Sequence, residues 1–193
     1  TAFVDGFGVR QNPAYVSIAR SNYTRSSDAV FPAADFQGPL YVVGEFSATD
    51  GTGGTYRNRF QYSGAQLHLQ GRGFQGFATQ RIEDTRTGLV TVDTVAREFP
   101  HAGMPQQRDV FQGNGTTPVR HWKANFATQA MGTAGSEQRV FPFIAATSEK
   151  RFEHGGAGDL VAQYQVALDL ELGVHRQGPR EPGLVQERER APT

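Results

Sequence analysis

A run crowded with glycine and aromatic residues, Gly71-Arg-Gly-Phe-Gln-Gly-Phe77, leads straight into a duplicated strand pattern. Ala78-Thr-Gln-Arg-Ile-Glu-Asp84 is followed by the polar turn Thr85-Arg-Thr-Gly88, then by Leu89 to Glu98 and by Phe99-Pro-His-Ala-Gly-Met-Pro105. A strand, a tight turn containing Gly, a second strand and a terminating Pro together predict a β-hairpin. In Val90-Thr-Val-Asp-Thr-Val, alternation puts Val90, Val92 and Thr94 on one face and Thr91, Asp93 and Val95 on the other.

The same short period recurs elsewhere. Strand-like runs cover residues 14–19, 40–48, 55–62, 77–83, 90–98, 119–127, 140–147 and 160–172. Between them lie Asp50-Gly-Thr-Gly-Gly54, Thr87-Gly88, Gly113-Asn-Gly115, Gly132-Thr-Ala-Gly135 and Gly155-Gly-Ala-Gly158, all suited to chain reversal. No segment sustains a helical period, so closely spaced strands predict an all-β, antiparallel fold built from hairpins. Asp5-Gly-Phe-Gly8 leading to Tyr15 echoes Asp50-Gly-Thr-Gly53 leading to Tyr62. Either a loose tandem repeat or the ordinary turn chemistry of Asp-Gly accounts for that echo.

Composition narrows the function classes. Nineteen basic and nineteen acidic residues cancel, which gives no field directed at nucleic acid or anionic lipid. Cysteine is absent, which excludes disulfide and thiolate chemistry. No apolar run approaches the roughly 20 residues of a membrane-spanning helix. Residues 174–193 are charged, rich in Pro and Gly and poor in large apolar side chains, so a disordered tail is expected after an ordered segment of 1–173. The opening at Thr1 suggests a fragment of something longer, and the tail suggests a truncated or frame-shifted end.

Motifs that point to chemistry are weak. Gly71-Arg-Gly-Phe-Gln-Gly76 matches a dinucleotide fingerprint in form, but the residues after it are strand-patterned, whereas phosphate binding needs a helix N-terminus. Gly51 to Gly54 lacks the Lys-Ser/Thr of a phosphate loop. His68, His101, His121, His154 and His175 show no paired metal spacing. Glu83-Asp84 and Asp169 with Glu171 are ordinary carboxylates near turns, and no serine sits in a nucleophile elbow. Neither a catalytic residue nor a cofactor or metal site is expected. Tyr56-Arg-Asn-Arg-Phe60 could stack on sugars or bases, although core-facing alternation explains it more simply.

As an ordered set, Tyr62-Ser-Gly-Ala65, Gly71 to Phe77, Asp84-Thr-Arg-Thr-Gly88 and Phe99-Pro-His-Ala-Gly-Met-Pro105 resemble the Rhs/YD-repeat toxins. The resemblance is especially to B-type subunits of insecticidal toxin complexes and their plasmid-virulence relatives. Asp5-Gly-Phe-Gly8, Tyr15, Tyr23, Pro39-Leu-Tyr-Val-Val43 and Asp50 to Gly54 extend the resemblance, which is best over residues 1–112 and weaker to about 173. It implies a curved β-shell segment of a secreted toxin that encloses a toxic C-terminal domain. The implied partners are the rest of the shell, the enclosed domain and a translocation subunit, with no nucleic acid and no membrane span. It also implies architectural roles for Gly71, Gly73, Phe74, Gly76 and Phe77, which would let the sheet bend and fill the bend with rings, and for Thr87, Gly88, Phe99, Pro100, Gly103 and Pro105. The alternative is an adhesion or carbohydrate-binding β-module presenting Tyr56, Phe60, Tyr62 and Trp122. Cut from its neighbours, a shell segment exposes strand edges, so poor solubility of the isolated chain is expected.

Overall fold

The computed structural model describes residues 2–20, 22–134, 137–169 and 173–180, and among these there is no helix. Fifteen strands run in chain order. They are β1 (Phe3–Val4), β2 (Arg10–Ser17), β3 (Tyr23–Thr24), β4 (Ala33–Asp35), β5 (Tyr41–Thr49), β6 (Thr55–Ser63), β7 (Gln66–His68) and β8 (Gly73–Phe74). They continue with β9 (Thr79–Asp84), β10 (Val90–Val95), β11 (Pro105–Phe111), β12 (Pro118–Ala134), β13 (Glu137–Phe152), β14 (Leu160–Asp169) and β15 (Gly173–Arg180).

One twelve-stranded sheet carries most of the chain in the order β1-β2-β5-β6-β9-β10-β11-β12-β13-β14-β15, with β3 added against β6. Every pairing in it is antiparallel except β3 with β6. The path does not close on itself, so this is an open wall and not a barrel. A small sheet, β4-β7-β8, stands apart from it.

Each of the eight sequence-expected runs overlaps a strand. The hairpin expected at Asp84–Gly88 joins β9 to β10, with Val90 opposite Glu83. One expectation changes. Pro105 does not end the second strand; it opens β11 opposite Val95, so the Phe99–Pro105 motif is the loop of another hairpin. Of the tail expected at 174–193, Val174 to Arg180 pair with β14 as part of β15. Pro179 is accommodated where the register with β14 is irregular. Residues 181–193 lie outside the described residues.

The proline positions obey the same logic. Pro13 lies in β2, which β1 flanks only at Arg10 and Gln11, and Pro142 lies in β13 beyond the stretch that β14 covers. Both therefore face an open edge, where a missing N–H costs no ladder bond.

Directly paired residues share a face. Tyr62, Gln80, Asp93, Arg108, Trp122, Glu149 and Tyr164 form one continuous row across β6, β9, β10, β11, β12, β13 and β14. The opposite face carries the row Gln61, Arg81, Val92, Asp109, His121, Lys150 and Gln163. Both rows are largely polar, and the small β4-β7-β8 sheet approaches the first of them at its Tyr62 end. The buried apolar residues among those described are Ile18, Val42, Ala48, Ala65, Val90 and Ala124. Stability therefore comes chiefly from ladder hydrogen bonds and cross-strand pairs, each pair contributing roughly 0.2–1 kcal/mol.

The large side chain that is fully buried among the described residues is Ile18. Ile18 is 1% exposed, and its amide donates to the Leu40 carbonyl at 3.0 Å. Ile18→Ala is expected to lower stability by about 2–5 kcal/mol, read as a shift in the urea midpoint. Leu69→Ala, at a side chain 55% exposed, should change it by no more than about 0.5 kcal/mol.

Candidate functional site

The Gly71–Phe77 segment builds a hook. β7 and β8 form a short hairpin in which Leu67 faces Phe74 and His68 faces Gly73, with Arg72 in the turn before β8. No helix comes after it, so the glycines lack the strand-to-helix junction that a pyrophosphate site requires. Gly71, Gly73 and Gly76 have φ of 92°, 71° and 85°. At Gly76 the positive φ lets the chain leave β8 and turn back toward β9, while the Gly76 carbonyl accepts from the Gln66 amide at 3.2 Å. The Ala78 amide then donates to the carbonyls of Ser63 and Gly64.

Five rings fill the angle between the hook and the main sheet. Phe77 meets Tyr62 at 4.8 Å between centroids, Tyr23 at 5.9 Å and Phe74 at 5.8 Å, and Phe74 meets Phe36 at 5.4 Å. Several of these contacts are edge-to-face, a geometry that adds about 0.5–1.5 kcal/mol per pair beyond burial. The phenols also lock the wedge. Tyr23 donates to the Phe36 carbonyl at 2.7 Å and accepts from the Ala65 amide at 3.2 Å, while Tyr62 donates to the Val43 carbonyl at 3.0 Å. Burial holds both hydroxyls above the usual phenol pKa.

The Phe99–Pro105 motif lies beside the hook. Its loop is closed by Ala96 and Met104, with the Gly103 amide donating to the Ala96 carbonyl at 2.8 Å. Gly103 has φ 86°, and the Phe99–Pro100 peptide is cis. The Arg72 guanidinium sits 3.5 Å above the exposed Phe99 ring, so the two glycine-containing motifs touch. Arg97 adds a second link, donating to the Gly64 carbonyl at 2.8 Å and to Asp28 at 3.2 Å. The structure thus brings Gly71, Gly73, Phe74, Gly76, Phe77, Phe99, Pro100, Gly103 and Pro105 into one neighbourhood. Thr87 and Gly88 lie apart, at the far end of β9.

There the turn is held by Asp84, whose carboxylate accepts from the Arg86 amide at 2.9 Å, while the Thr87 hydroxyl accepts from the Leu89 amide at 3.3 Å. The same device recurs. Asp5 accepts from the amides of Phe7 and Val9, Asp50 from those of Thr52 and Gly54, and Asn114 from those of Thr116 and Thr117. The Asp5 and Asp50 loops make identical i+2 and i+4 bonds, so turn chemistry accounts for the echo between them.

The histidines are scattered. His68 accepts from the Gln70 amide, His101 stacks on Phe126 at 5.0 Å, His121 pairs with Asp109 at 2.5 Å, and His154 is exposed. Among the described residues no three metal-ligating side chains converge. Tyr62 is engaged in the wedge and Trp122 lies four strands away along the same row, so Tyr56, Phe60, Tyr62 and Trp122 do not form one exposed platform. Sequence reasoning did not assign Tyr23 or Phe36 to the bend, because their short strands and loops carry no periodic signal.

An open antiparallel wall, stiffened at one place by a ring wedge, defines a wall-forming class of β protein. The chain belongs to the family described as the insecticide toxin TcdB middle/N-terminal region, whose model matches residues 2–106. It is also similar in fold to solved toxin structures. A crystal structure of TcdB2-TccC3 superposes with a TM-score of 0.59 at 10% identity over 93% of this chain. A Photorhabdus luminescens Tc holotoxin pore does so with a TM-score of 0.59 at 9% identity over 89%. This chain spans 12% of the length of each of those chains. No curated protein matches it.

The turns make two predictions. A Cβ added at Gly76 meets nothing within 4 Å, so Gly76→Ala carries only backbone strain. It should cost about 1–2 kcal/mol, and Gly76→Asn less, as read from urea midpoints. The second concerns acid. Amide and hydroxyl donors of Thr52 and Gly54 hold the Asp50 carboxyl below its usual pKa. At Asp84 burial opposes the shift, yet the donors of Arg86 and Thr87 prevail. At Glu149 burial is likewise overcome, by Arg120 and Arg151. Depressed folded values stabilise above the unfolded pKa of about 3.9–4.3, and that stability is lost as pH falls further. The urea midpoint should therefore hold from pH 7 to about 5 and drop below about 4. Asp84→Asn, which keeps the acceptor oxygen but cannot titrate, should flatten that drop.

Proposed function

We propose that this chain is a non-catalytic wall segment of a secreted toxin β-shell, one that encloses a toxic C-terminal domain and holds it inactive until delivery. The observation that supports this best is the open path of the sheet, whose outermost strands β1 and β15 each have a free edge among the described residues. Such edges suit continuation into neighbouring shell strands, which are the partners this reading requires, together with the enclosed domain and a docked translocation subunit. The polar character of both sheet faces suits a wall wetted on each side. Gly71, Gly73, Phe74, Gly76 and Phe77 would then act by shape, turning the chain and filling the turn, and Thr87, Gly88, Phe99, Pro100, Gly103 and Pro105 by closing hairpins.

The test uses the full toxin component assembled with the partner that carries the enclosed domain. Under limited proteolysis that domain should be protected, and replacing Phe74 and Phe77 together by Ala should make it cleavable faster. Equal cleavage with and without the wall would overturn the reading, as would turnover of labelled NAD by this chain alone.

A further inference from the structure

The face that carries Tyr62 also bears a charged cluster that the ring wedge does not use. Asp93 stands opposite Arg108, Arg108 opposite Trp122, and Trp122 opposite Glu149. Two residues before Trp122, Arg120 projects from the same face, directly opposite Arg151. Arg108 holds Asp93 through Nε at 2.5 Å and Nη2 at 2.8 Å. Arg120 and Arg151 each donate to Glu149 at 2.7 Å, which offsets the repulsion of two like charges placed across a strand pair.

The cluster is layered. Asp93 and Glu149 have side chains 18% and 16% exposed, against 53%, 42% and 58% for Arg108, Arg120 and Arg151. The carboxylates lie low against the sheet and the guanidiniums project above them, so the surface offered to solvent is positive. Three guanidiniums against two carboxylates leave one positive charge here, in a chain whose formal net charge is zero. The Arg120 Nε is buried and has no hydrogen-bond partner. Each guanidinium has five N–H donors, so both Arg108 and Arg120 retain unused ones. A cleft of about 350 Å³ opens at this point, lined by Gln80, Asp93, Pro105, Arg108, Arg120 and Trp122 among others. That volume lies at the small end of ligand-binding clefts.

We propose that this cleft binds a monocarboxylate attached to a group that can rest on an indole face, either an apolar side chain or the C–H face of a sugar ring. The carboxylate accepts from the free N–H groups of Arg108 and Arg120, whose planar forks match its geometry. The attached group rests on Trp122. A surplus of one charge suits a monoanion and disfavours a phosphate dianion. Two sources carry this chemistry, a sugar acid and an acid borne by an apolar residue of a peptide. The site stands whether or not the wall encloses a cargo.

Trp122 is the single tryptophan, so intrinsic fluorescence of the intact chain reads the cleft directly. Five probes are titrated separately: N-acetylphenylalanine, its neutral amide, glucuronate, glucose and inorganic phosphate. A saturable change with N-acetylphenylalanine but not its amide supports the site with a peptide-like source. One with glucuronate but not glucose supports it with a sugar acid. Arg120→Gln should weaken the responding acid about tenfold or more, the usual worth of a hydrogen bond to a charged group. Absence of any saturable response, equal responses from neutral and acidic members of a pair, tighter binding of phosphate than of either acid, or an unchanged affinity in Arg120→Gln overturns the assignment.

Discussion

Main-chain pairing is the interaction on which everything else in this molecule depends. In a compact domain two layers share an apolar core, and the ladder need only be compatible with it. Here one sheet extends strand after strand with few fully buried apolar side chains, so the ladder and its cross-strand pairs carry the load. Consecutive hairpins from β9 to β15 keep each strand beside its chain neighbour. That local order limits the loop entropy lost in forming so wide a sheet.

Such a wall has two weak places, its turns and its bends, and each has a recurrent solution. The turns at Asp5, Asp50, Asp84 and Asn114 use a side-chain oxygen to satisfy the amides that reversal leaves without ladder partners. The bend near β7 and β8 is occupied by Tyr23, Phe36, Tyr62, Phe74 and Phe77, which supply in one spot the packing that the rest of the sheet lacks. Membership of the TcdB middle/N-terminal family places these devices in a toxin component.

Much of the sheet was legible because alternation and turn residues are local signals. Val90 to Val95 and Asp84 to Gly88 announce a hairpin without reference to anything distant. The strands that escaped notice, β1, β3, β4, β7, β8 and β11, are mostly two or three residues long, too short to show alternation, and β3 and β4 also depend on partners far along the chain. β3, for example, is a strand only because Tyr23 and Thr24 lie along Tyr62 and Ser63.

By itself the sequence determined the period of the strands, the places where the chain reverses and the family to which the Gly71–Pro105 motifs point. Those are properties of neighbouring residues, set by backbone sterics and by which side chains can cap a turn. The tertiary structure alone decided that Arg72 meets Phe99, that Tyr23 and Phe36 complete the ring wedge, and that Arg108, Arg120 and Arg151 gather around Trp122. Such meetings depend on strand order and register, and register is fixed by the summed pairing of whole strands rather than by any residue within one.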